Sequence, residues 1–166
     1  MKRGYTLIEM MLYIAILVGM LAVIFVIISN VVRSERNLAS ARTIENSAIF
    51  GLERVTREIR QATSVDIVNS VLDVSPGKLV LNSTTSGGAA ETVEFSLQNS
   101  ILRLKINGVD QGALTEANTR VTRLIFSKLS SPYSVAVRTQ VTLESGTSTT
   151  YRTSNFYTTT ILRGSI

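Results

Sequence analysis

Lys2-Arg3-Gly4-Tyr5-Thr6-Leu7-Ile8-Glu9 leads straight into MMLYIAILVGMLAVIFVII, residues 10–28, which holds neither a charge nor a proline. A helix over 5–28 would be about 36 Å long at about 1.5 Å per residue. That is enough to cross a hydrocarbon core of about 30 Å with some tilt. Lys2 and Arg3 precede the run, while Arg33, Glu35 and Arg36 follow it. The denser positive charge lies at the start, which favours an N-in, C-out orientation. A secretory signal would have a shorter apolar run closed by a small-x-small site, and Ala39-Ser40-Ala41 lies too far beyond it. The run is therefore expected to be kept as an anchor. Glu9 is the discordant residue. An ionised side chain in the hydrocarbon zone costs on the order of 3 kcal/mol, and no group on its own helix is expected to neutralise it.

Beyond the apolar run the helical pattern continues. Leu38, Ala41, Ile44, Ala48, Leu52, Val55, Ile59 and Ala62 recur at steps of three, four or seven, which marks one apolar face. Arg42, Glu45, Glu53, Arg54, Arg57 and Arg60 mostly fall off that stripe, and Glu53–Arg57 and Arg54–Glu58 are i,i+4 pairs that support a helix. No proline interrupts residues 5–75. The spacing predicts one continuous helix of about 55 residues, apolar all round over 5–28 and amphipathic over 29–64, fraying near Thr63-Ser64.

From Val65 the period changes to two, with β-branched residues and turn signals. Short strands are expected at 71–74 and 79–81 around Ser75-Pro76-Gly77-Lys78, then a polar loop over 82–90. Strands at 92–97 and 101–106 flank Gln98-Asn99-Ser100, and Asn107-Gly108 starts another turn. Strands at 121–127, 133–144 and 151–162 follow, the last threonine-rich and suited to a sheet edge. The fold class predicted is α+β: one long N-terminal helix whose amphipathic half packs on an antiparallel sheet formed by 65–166.

Composition closes most routes to catalysis. Among 166 residues there is no cysteine and no histidine, so thiolate and imidazole chemistry, disulfides and the commonest zinc sites are excluded. The only aspartates, Asp66, Asp73 and Asp110, are scattered, and no short loop gathers oxygen ligands for calcium. No enzyme activity, metal or cofactor is expected. The net charge of +5 is partly carried by Lys2 and Arg3 and does not demand a nucleic-acid partner.

Gly4-Tyr5-Thr6-Leu7-Ile8-Glu9 ahead of an apolar helix resembles the N-terminal signal of type IV pilins and of the pseudopilins of type II secretion. The resemblance implies that a prepilin peptidase cuts between Gly4 and Tyr5, removing residues 1–4, and then N-methylates Tyr5. It carries an assembly role over to Glu9, which would form a salt bridge to the terminal ammonium of a neighbouring subunit. Such a pair would set axial register, because a mismatched helix leaves two charges unpaired in an apolar bundle. A glycine before the cut also lets the backbone enter a tight site without a side chain. The segment from Leu52 to Ala62 and the closing Leu162-Arg163 are similar to minor pilins and J-type minor pseudopilins. Tyr5 stands where the family usually has Phe. The proline that kinks many major pilins is missing, as are the cysteines of their C-terminal disulfide loop. The missing proline leans toward a minor subunit or pseudopilin. The partners implied are the peptidase, other pilin or pseudopilin subunits and an inner-membrane assembly platform. The product would be a pilus or pseudopilus serving adhesion, motility, DNA uptake or protein secretion.

Blander readings stand beside these. Thr6-Leu7-Ile8-Glu9 is also a capping-box pattern. Arg54, Arg57 and Arg60 are of a type to meet nucleic-acid phosphates, but with Glu53 and Glu58 interleaved they read as a solvated helix face. Tyr133, Tyr151, Phe156 and Tyr157 are a stacking surface or, more simply, sheet packing. Asn82-Ser83-Thr84 fits a glycosylation acceptor, and Gly87-Gly88 is a loop hinge. The rival class is a single-pass membrane-anchored sensor or secretion-apparatus component that never forms filaments.

Overall fold

A computed structural model describes residues 6–85, 87–146 and 151–163. Helix α1 spans Leu7–Gln61, 55 residues, and the chain divides into two compact units at Leu38/Ala39, within that helix. Gln61 ends it where the periodic pattern runs out. The Ala62 N–H closes the last turn on Glu58 O at 2.9 Å.

Within the second unit the predicted stripe is largely the buried face. Ile44, Ala48, Val55, Ile59 and Ala62 are buried, and Leu52 packs beside them. Leu38, expected on the same stripe, is the last residue of the first unit and is 54% exposed. Three buried helix residues lie outside the expected set, each for its own reason. Ser47 Oγ lies 3.1 Å from Thr119 Oγ1 and accepts the Glu116 N–H at 3.3 Å, so a hydroxyl here satisfies strand and loop polar groups. Gly51 is buried against β4 and the segment after β5: a Cβ there would stand 3.6 Å from both Leu102 Cδ2 and Leu114 O, an ordinary contact distance. Glu58 is buried with its charge matched by Arg54 at 2.9 Å, one of the two predicted i,i+4 pairs.

The β-domain differs from a single sheet by forming two. Strands β1 (Ser64–Val65), β2 (Leu79–Thr84), β3 (Ala90–Gln98), β4 (Ile101–Ile106) and β5 (Val109–Ala113) make an antiparallel sheet in sequence order. Strands β6 (Thr119–Ser131), β7 (Ser134–Ser145) and β8 (Arg152–Ile161) make a second, also in sequence order. The expected alternation holds on the inward faces. Val93, Phe95, Leu102 and Leu104 from the first sheet and Val137, Val141 and Leu143 from the second join one core with the helix stripe.

Asn99 and Ser100 both adopt positive φ and close β3 on β4, with Gln98 opposite Ile101. Asn107 and Gly108 do the same between β4 and β5. The signal for that second turn is plain in the sequence; β5 after it is not, because Val109 is the one strand former in Val-Asp-Gln-Gly-Ala. Its Asp110 is held by the Gly112 N–H and the Arg103 guanidinium, which keep the carboxyl below its ordinary value. The loop expected over 82–90 is shorter, since β2 runs to Thr84 and β3 begins at Ala90.

Segment 71–78 is a narrow loop with Val71 bridged to Lys78, in place of the expected strand over 71–74. It lies against β6. The Gly77 N–H donates to Leu124 O and the Asp73 N–H to Phe126 O, each at 2.8 Å, and the Leu124 N–H donates to Ser75 Oγ at 3.2 Å. Glycine is needed at 77 because a Cβ would come within 3.0 Å of Leu124 O and 3.2 Å of Val74 O, both backbone atoms.

Candidate functional site on the N-terminal helix

Helix α1 begins at Leu7, so Thr6 is its cap and Glu9 its third residue. The Met10 N–H donates to Thr6 O at 3.2 Å and opens the helical ladder, while the Glu9 N–H donates to Thr6 Oγ1 at 3.3 Å. The capping half of the Thr6–Glu9 pattern is therefore present. It uses the backbone of Glu9 and leaves the carboxylate for another partner.

That partner is Tyr13, whose phenol donates to Glu9 Oε1 at 3.5 Å. Tyr13 stands within the apolar run, where no partner for Glu9 is expected. The i,i+4 spacing of an acid and a phenol was the signal that could have found it. The bond is long and both residues are open to their surroundings, so Tyr13 supplies a weak donor and no charge.

Around this pair the helix is apolar on every side. Leu7, Ile8, Met11, Leu17, Phe25 and Ile28 are all exposed, and the segment is long and apolar enough to cross a membrane. A helix that is hydrophobic all round and uncovered is matched to lipid or to other helices rather than to water. Gly4 and Tyr5, the residues assigned to cleavage and N-methylation, lie outside the described residues.

The globular unit adds an open groove of about 490 Å³ lined by Asn46, Ile49, Phe50, Glu53, Leu114 and Glu116. Ile49 and Phe50 are exposed there on the helix face turned from the core, with Phe50 at 64%. Among the described residues no cluster of three or more Asp or Glu side chains is placed to hold a metal ion.

An N-terminal helix of membrane length that continues into an α+β domain is a pilin-like architecture and a candidate membrane anchor. Compared with protein-family models, characterised proteins and solved structures, the chain finds no match.

Proposed function

We propose that the chain is a minor type IV pilin or pseudopilin. It is a structural subunit made as a precursor, cut between Gly4 and Tyr5, N-methylated at Tyr5 and held in the inner membrane by 5–28. It carries no catalytic residue. Its helix enters a bundle of like helices, and the globular unit lies on the periplasmic or extracellular side. Its partners are a prepilin peptidase, other subunits and the inner-membrane assembly platform.

The observation that carries this reading is the position of Glu9. It sits in the first turn of an uncovered apolar helix, and among the described residues its carboxylate is met by one long phenol bond. Released from its leader, the terminal ammonium of Tyr5 on a second subunit is a cation of the right charge for that carboxylate. The pairing lowers the cost of holding either charge in an apolar bundle.

The test is subunit incorporation. Glu9→Ala is expected to insert into the membrane and be processed like the parent chain, yet to be missing from sheared or purified filaments. Incorporation at the parent level would reduce Glu9 to a helix-capping residue. A parent chain that is never found in filaments would favour the anchored, non-polymerising alternative.

A further inference from the structure

The two sheets present four outer edges, and three of them are protected. β1 is only two residues long. β5 is short, meets β4 through a register shift and carries Asp110 and Gly112. β6 has a register shift between Val121 and Arg123 and receives the 71–78 loop on Leu124 and Phe126. Bulges, short strands, charges and covering loops are the devices by which sheets avoid unwanted pairing.

Among the described residues β8 has none of them beyond a single charge at its start. It runs through ten residues in unbroken register with β7, from Ala136↔Ile161 to Ser145↔Arg152, and contains no proline, no glycine and no charge except Arg152 at its start. The Leu162 N–H donates to Val135 O at 2.9 Å, which fixes the even-numbered residues as those bonded to β7. The N–H and C=O groups of Thr153, Asn155, Tyr157, Thr159 and Ile161 therefore point away from the sheet. All five residues are exposed, and among the described residues no backbone group pairs with them.

We infer that the free edge of β8 is an acceptor for an extended segment of a partner protein, added as a further antiparallel strand. A row of alternating donors and acceptors at strand spacing is matched only by another extended backbone. The antiparallel direction continues the pattern of every strand pair in the domain. Side chains set the chemistry of the segment. Beside Thr153, Asn155 and Thr159 it is uncharged and β-branched. At its C-terminal end it meets Arg152, which forms no ion pair among the described residues, and there it carries a carboxylate. This inference stands whether or not the chain enters a filament.

The probe is a fluorescein-labelled peptide that alternates valine and threonine and ends in aspartate, titrated against the full-length protein in detergent micelles and read by anisotropy. Saturable binding is expected. N-methylating the alternate amides that face β8 is expected to weaken it by roughly tenfold or more, and replacing the aspartate with lysine to weaken it by about threefold. In the protein, Thr159→Pro removes one outward N–H without touching the β7 ladder and is expected to act like N-methylation, whereas Thr159→Ala leaves binding intact. The N-methylated peptide gives the same answer on the parent protein if Thr159→Pro does not fold. Absence of saturable binding, or binding indifferent to N-methylation, would overturn the inference. So would disulfide-linked dimers of Asn155→Cys forming without peptide, since a second copy would then occupy the edge.

Discussion

The Tyr13 phenol donates to Glu9 Oε1 across one turn of helix α1, at 3.5 Å. A bond of that length between exposed groups contributes less than about 1 kcal/mol, well short of the cost of an ionised carboxylate in hydrocarbon. Tyr13 thus steadies the Glu9 rotamer and leaves the charge to be compensated from outside the helix. Tyr13→Phe is expected to lower filament incorporation by less than about threefold, against near-complete loss for Glu9→Ala. Quantitative immunoblotting of filament fractions makes the comparison. Equal losses would mean that the intrahelical pair is itself the functional unit.

The amphipathic half of the helix owes its place to a few residues. Ile59 has no exposed surface, whereas Leu38 on the same predicted stripe is 54% exposed. Ile59→Ala should cost the globular unit about 2–5 kcal/mol by leaving a cavity, and Leu38→Ala no more than about 0.5 kcal/mol. Urea titration of the full chain in detergent, followed by tyrosine fluorescence, reads both.

Thr139 is fully buried on β7, and among the described residues its hydroxyl has no hydrogen-bond partner. It lines a small cavity that is mostly apolar, with Ala48, Leu52, Leu124 and Val141 beside the hydroxyls of Ser47 and Thr115, and its own hydroxyl bonds to neither, so a methyl costs less there than an unpaired oxygen. Thr139→Val should stabilise the domain by about 1 kcal/mol. A loss of stability in the same urea titration would show that the hydroxyl is satisfied in solution.

These residues also mark how far the sequence could be read. The helix was legible because its signal is local: a charge-free run, then apolar residues at helical spacing with no proline. Ser47 and Gly51 broke that rule because their partners lie far along the chain, Thr119 and Glu116 for one, Leu102 and Leu114 for the other, whereas Glu58 is buried beside the i,i+4 partner that the sequence already offered, Arg54. The hairpins around Asn99-Ser100 and Asn107-Gly108 were legible from turn chemistry, and β8 was rightly placed at an edge. The division into two sheets was not. It depends on β6 pairing with β7 and leaving β5, and on backbone bonds from 73 and 77 to β6 that leave no trace in local composition. Of the candidate site, Glu9 and its cap were visible, while Tyr13 was hidden by its place among apolar neighbours.

The central claim is that the first residues are a processing signal and the helix an assembly element. Co-expression with a prepilin peptidase, followed by intact-mass and N-terminal peptide spectrometry, tests it most directly. The account predicts a chain beginning at Tyr5 and bearing one added methyl group on its terminal amine. A chain still beginning at Met1, or cut anywhere other than between Gly4 and Tyr5, would contradict it.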